Sequence, residues 1–224
     1  MEIYIRSNTI SIPSLEISYA QNTTISVAAN MREMMKAYAD KIDNKEKAVV
    51  FVDTPALTVP EEQLSEENAK ELYKFSITAT DEDTIIVQKP VEGLKVVALY
   101  AVSKDLNTVI ADNFKEHEFL QVGVEAMTAA SPSKREMSNG SSKTLFAYFY
   151  DTTMYAYAFK QGRLNFFNSY AAANAQDCAY ILLSVWKQLG YNQLKDELVL
   201  HGEVIEKKEM KTLLEEFIKG VRCE

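Results

Sequence analysis

The sequence predicts an α/β protein in which one arrangement, three strands, a helix and a strand, occurs twice. Three observations carry this reading. Leu145–Glu203 follows that order, Met1 to about Val52 follows it again, and Ser-rich residues lie between them. Strands and helices in such a pattern bury their apolar sides by packing helices on a sheet.

In the first copy, Glu2–Arg6 is a strand, Ser7-Asn8 a turn and Thr9–Ile12 a second strand, with Leu15–Tyr19 the third. Met31, Met34, Met35 and Tyr38 keep helical spacing, which predicts a helix ending near Ile42. Lys41–Lys47 is a charged loop. Ala48–Val52 is a continuous apolar run, as expected of a strand covered on both faces. Thr58-Val59-Pro60-Glu61-Glu62 carries a helix-start pattern, with proline at the first position and carboxylates in the first turn, and predicts a helix to Tyr73. Asp81-Glu82-Asp83 is an acidic turn and Thr84–Val87 a short edge strand. Lys95–Val102 is a strand, Asp105–Phe114 a helix and Phe119–Val124 a strand. Ala130–Ser142, with Pro132, Gly140 and Lys134-Arg135, reads as a linker, or alternatively as a basic recognition loop.

The second copy is clearer. Leu145–Tyr150 and Thr153–Phe159 are strands joined at Asp151-Thr152. Met154, Ala156 and Ala158 share one face of the second strand, and Tyr155, Tyr157 and Phe159 the other. Gln161-Gly162 supplies a hairpin turn before Leu164–Tyr170. Asn174 caps a helix, with Asp177 in its first turn and Gly190 at its end. Cys178, Leu182, Val185 and Leu189, widened by Ala179, Leu183 and Trp186, make it largely buried. Leu198–Leu200 is a short buried strand. A last amphipathic helix through Met210, Leu213, Leu214, Phe217 and Ile218 is read as stopping at Gly220.

Composition narrows the function classes. A chain of 224 residues with 47% hydrophobic content can bury a sizeable core. The net charge of −8, without a Lys/Arg cluster, argues against nucleic acid as a partner. No apolar run approaches the ~20 residues of a membrane span, and Met1-Glu2 opens no secretory leader. Only two cysteines occur, Cys178 and Cys223, so neither a disulfide framework nor a zinc site is expected. The expected setting is the cytoplasm. The two histidines, His117 and His201, are too far apart in sequence for a helical metal pair.

Four segments carry a family resemblance: Asp53–Glu62, Gly162–Ser169, Asp177–Tyr180 with Trp186–Gly190, and Leu198–Glu203. Together they resemble the domain-of-unknown-function 3822 family, over nearly the whole chain and most strongly after Leu145. That family is similar in fold to the actin-like ATPases. The resemblance therefore implies two RNase-H-like lobes (βββαβα), assigned to 1–130 and 144–224 with a linker at 131–143.

In actin-like ATPases, nucleotide lies between lobes, and strand-turn backbones hold its phosphates. The resemblance places Ser7 and Asn8 at the first such turn and Asp151, Thr152 and Thr153 at the second. Gly202 and Glu203 fall where a glycine pair would meet the nucleoside. The implied cofactor is ATP with Mg²⁺. Glycine matters in such turns because a backbone without Cβ lets N–H groups approach an anion. Both turns lack it, and Gly202 has Glu203 where a second glycine would complete the pair. There is no Walker loop and no G-x-G-x-x-G. Turn formation accounts for Asp151 and Asp53, and a tight connection for Gly202. The expectation is a protein with a degenerate site that acts through protein contacts, with a partner or as a homodimer. The alternative is an ATP/Mg-dependent switch. A third class, an RNase-H-like nuclease, needs several carboxylates around two metals, and the acidic charge opposes it.

Overall fold

The computed structural model describes residues 1–43, 47–65, 67–77, 83–131 and 143–224. They cluster into two units, Met1–Lys89 with Val97–Val124, and Pro90–Val96 with Glu125–Glu224. In chain order the elements are β1 (Glu2–Ile5), β2 (Thr9–Ile12), β3 (Ile17–Ala20), α1 (Val27–Ala37), β4 (Ala48–Val52), β5 (Ala56–Pro60), α2 (Ala69–Ser76), β6 (Thr84–Val91), β7 (Val96–Ser103), α3 (Lys104–Asn113), β8 (His117–Gln121) and α4 (Val122–Ala129). There follow β9 (Thr144–Tyr150), β10 (Thr153–Lys160), β11 (Arg163–Ala171), α5 (Ala175–Gln188), β12 (Glu197–Gly202), α6 (Lys207–Glu215) and β13 (Gly220–Cys223).

The duplication is written into the sheets. One runs β3-β2-β1-β4-β8 and the other β11-β10-β9-β12-β13, the same order in each unit. In both, the first three strands are antiparallel and the last two join in parallel. These are RNase-H-like lobes, each opening on a three-stranded meander whose first strand becomes the centre of the sheet.

Local chemistry sets the helices. Ser26 Oγ accepts from Ala29 N at 3.1 Å and starts α1. Asn30, 1% exposed, is buried in α1 because its amide is matched. It donates to Asn22 O and Ser26 O and accepts from Asn22 N. In α5, Asn174 Oδ1 accepts from Asp177 N at 2.8 Å while Asn174 Nδ2 donates to Asp177 Oδ2 at 2.8 Å, so cap and carboxylate hold each other. Gln161 (φ +51°) and Gly162 (φ +72°) make the β10–β11 turn. The core under the second sheet joins Leu145, Ala147 and Phe149, Met154, Ala156 and Ala158, and Leu198 and Leu200 to α5 and α6.

Four sequence expectations need correction. Ala56–Pro60 is a strand, in a three-stranded sheet of order β5-β7-β6, and the helix follows only at Ala69. The proline-acid signature starts no more than a 3₁₀ turn, Glu61–Gln63. Pairing with β7 outweighs the local signal, and Pro60 and Pro90 both sit on edge strands, where a missing N–H is tolerated. Second, α1 ends at Ala37 rather than near Ile42. Third, β8 ends at Gln121, because the Gln121 side chain accepts from Val124 N at 2.7 Å and begins α4. Fourth, Gly220 opens β13 and does not end α6, which finishes at Glu215. The acidic turn at Asp81-Glu82 and most of the Ser-rich stretch, including Lys134-Arg135, lie outside the described residues.

Candidate functional site

The C-terminal ends of the two central parallel strands concentrate the polar residues singled out above. In the second unit β9 and β12 run in parallel, with Phe149 opposite Gly202, and Glu203 N donates to Phe149 O at 2.9 Å. That register carries Gly202-Glu203 to the sheet end where β9 turns into β10 at Asp151-Thr152. Asp151, Thr152, Thr153, Gly202 and Glu203 therefore share one end of one sheet. Asp151 takes φ +50°, a left-handed value that aspartate tolerates in a turn. Thr152 O accepts from Ala172 N at 2.8 Å, which ties the turn to the end of β11.

Ser7 and Asn8 belong to the first unit, in the turn between β1 and β2. Arg6 N donates to Thr9 O at 2.9 Å, and Asn8 O accepts from Gln21 N at 2.8 Å. The Gln21 side-chain amide also reaches Arg6 O at 2.5 Å. This turn is thus laced by its own chain. In register with Tyr4↔Phe51, Asp53 lies one residue beyond the end of β4, the position that Glu203 holds beyond β12. Aligning the two β-β-β-α-β copies strand by strand in the sequence would have shown this matched pair of carboxylates. Beside Asp53, fully buried Gln121 donates from Nε2 to Thr54 O at 2.9 Å.

Gly202 is decided by space. It has φ +81°, and a Cβ added there would lie 2.3 Å from Phe149 O and 2.8 Å from Tyr148 Cε2. The room beside its Cα is filled by the neighbouring strand. Strand packing by itself therefore requires glycine at this position. Among the described residues, no group of three or more His, Cys, Asp or Glu is placed to hold a metal ion.

The face of the second sheet opposite α5 and α6 is aromatic. Tyr155 and Tyr157 are fully buried on it; Phe146, Phe159 and His201 lie in ring contact with Tyr157, and Tyr148 and Phe167 with Tyr155. Tyr155 and Tyr157 are thus packed into the sheet face, and the rings around them are half-buried. The polar feature of this face joins residues far apart in sequence. Tyr157 Oη donates to Ala126 O at 3.3 Å and lies 2.6 Å from His201 Nε2. The hydroxyl has one proton, so the arrangement that satisfies both contacts has His201 Nε2–H donating to Tyr157. Burial drives the Tyr157 phenol far above its ordinary value, which keeps it protonated.

Burial also lowers the His201 pKa below the ordinary 6.5, with Glu224 opposing the shift. A pH dependence follows. Below pH ~6.5 the unfolded chain binds a proton at this histidine that the folded chain resists. Stability from this group is therefore complete above pH ~6.5 and falls as pH drops toward the depressed folded pKa. Urea midpoints measured from pH 7.5 down to 5.5 are expected to fall more steeply for the native chain than for His201→Gln. Parallel slopes would contradict the assignment.

Cys178 and Cys223 are both free thiols. Burial pushes the Cys178 thiol up, away from the thiolate that a nucleophile requires. No helix among the described residues is long and apolar enough to cross a membrane.

A solved protein from Bacteroides thetaiotaomicron VPI-5482, with actin-like ATPase fold and unknown function, superposes with a TM-score of 0.81 at 23% identity, over 100% of this chain and 89% of that one. A chain of the PilM–PilN type IV pilus biogenesis complex superposes with a TM-score of 0.53 at 9% identity, over 99% of this chain and 87% of that one. The fold is the actin-like ATPase fold. No curated protein matches the sequence. A family model described as protein of unknown function (DUF3822) matches residues 6–221.

Proposed function

The chain belongs to the DUF3822 family of proteins of unknown function, and from that premise we propose that it acts through protein contacts, with its nucleotide site degenerate. The observation that carries this reading is Gly202, where a Cβ would collide with Phe149 O and the Tyr148 ring, so that strand packing accounts for the glycine without a ligand. The absence of glycine from the turns at Ser7-Asn8 and Asp151-Thr152 supports it. A chain of this fold also occurs in the PilM–PilN complex, so a place in a protein assembly lies within what the fold accommodates. The ligand is then a protein partner or a second copy. The lobes proposed are 1–130 and 144–224, joined through 131–143.

The test is nucleotide binding. A ligand at a hundredfold its Kd stabilises the folded state by about 2.7 kcal/mol, which a melting curve registers easily. Saturating Mg-ATP, Mg-ADP and Mg-GTP are expected to leave the melting temperature unchanged. A clear upward shift, or ATP turnover lost in Asp151→Ala, would sink the reading. Either result would favour the second reading, an ATP/Mg-dependent switch. That alternative draws on Asp151, Thr152, Thr153 and Glu203 sharing one sheet end.

A further inference from the structure

The outer edge of β11 has an unusual hazard and a specific answer to it. β11 is a terminal strand of its sheet, and among the described residues no strand pairs with its far side. Ala172 N donates to Thr152 O, and the register pairs Ala171 with Thr153, Tyr170 with Met154 and Asn168 with Ala156. Bonded and non-bonded pairs alternate in an antiparallel ladder. Tyr170 and Asn168 therefore turn their backbone groups toward β10, and Phe167, Ser169 and Ala171 turn theirs outward. An edge of this kind is a template for another strand unless something blunts it. Charges and proline are the usual devices; β11 has one charge, Arg163 at its first residue, and the rest of the strand, Leu164–Ala171, contains neither.

We propose that Asn168 guards this edge, its side-chain amide covering the Ser169 N–H so that β11 does not pair with β11 of a second copy. Asn168 Oδ1 accepts from Ser169 N at 2.9 Å, and Asn168 Nδ2 donates to Tyr170 Oη at 3.2 Å. Tyr170 packs against the core beneath the sheet, so the amide is held and not merely present. Ser169 is the middle of the three outward positions, and an added strand that spans them must bond its N–H. A second copy is the matching occupant, because β11 presents the same outward spacing to itself and a two-fold axis makes the contact self-complementary. This inference is independent of whether nucleotide binds.

Native protein, Asn168→Val and the double variant Asn168→Val/Ser169→Pro are compared by sedimentation equilibrium at matched concentrations, with circular dichroism confirming the fold. Valine removes the acceptor and favours the strand, and self-association is expected to tighten by about tenfold or more. Proline at 169 removes the outward N–H, and the double variant is expected to return to native behaviour. Folded Asn168→Val associating no more tightly than the native chain would overturn the proposal, as would association that survives Ser169→Pro. Should Asn168→Val fail to fold, hydrogen exchange on the native chain decides. The Ser169 amide is expected to exchange more slowly than those of Phe167 and Ala171, and equal rates would refute the guard.

Discussion

Replacing Gly202 by alanine is expected to destabilise the protein by about 3 kcal/mol, combining a left-handed backbone with overpacking. The glycine sits at φ +81°, where a Cβ by itself costs roughly 1–2 kcal/mol. The remainder comes from contact. The new Cβ would be 2.3 Å from a backbone oxygen of β9, and that oxygen also accepts from Glu203 N, so it cannot retreat without breaking the strand end. Urea denaturation should show a lower midpoint with an unchanged slope. A loss under about 1 kcal/mol would mean that the strand ends yield easily and that the glycine serves something other than packing.

Asp196→Ala is expected to cost about 2–4 kcal/mol, because it removes a buried carboxylate that accepts two backbone N–H groups. Asp196 is 5% exposed; its Oδ1 accepts from Lys143 N at 2.8 Å and its Oδ2 from Asn192 N at 2.6 Å. The carboxylate thereby fastens the loop after α5 to the entry of β9, the central strand of the sheet. Lys143 reinforces the same junction, with Nζ donating to Gly190 O at 3.2 Å and lying 5.1 Å from the centre of the Tyr191 ring. Asp196→Asn retains one acceptor and turns an amide N–H₂ toward the other donor, so roughly half the loss is expected. Denaturation midpoints check the order alanine, asparagine, native. Exchange of the Lys143 and Asn192 amides checks the location, and unchanged protection there would refute the account.

Some of the candidate site was legible before folding. Asp151-Thr152 reads as a turn because two apolar runs flank it, and Gly202 reads as a tight connection because it follows a buried strand. What Gly202 packs against was not legible, since Phe149 lies 53 positions earlier and only the parallel register of β9 and β12 brings it near. The same holds for His201 and Tyr157, two residues without a shared motif that meet across one sheet face. The equivalence of Asp53 and Glu203 was within reach, because it needs only the repeat and the strand ends.

For the fold, the sequence by itself determined the elements whose signals are short in range. Asn174 with Asp177 starts α5, Gln161-Gly162 turns β10 into β11, and the apolar run Ala48–Val52 is β4 to the residue. Caps, turns and periodicity act within a few residues, so they survive without knowledge of neighbours. Tertiary structure alone decided Ala56–Pro60, where pairing beside β7 overrode a helix-start pattern, and Gly220–Cys223, too short to read as a strand until β12 supplied its partner. It also decided that both sheets share one strand order. A strand is completed by hydrogen bonds to residues distant in the chain, whereas a helix satisfies its backbone from within. That difference is why the helical and turn features of this protein could be read locally, and why its edges, its sheet order and the fate of Gly202 could not.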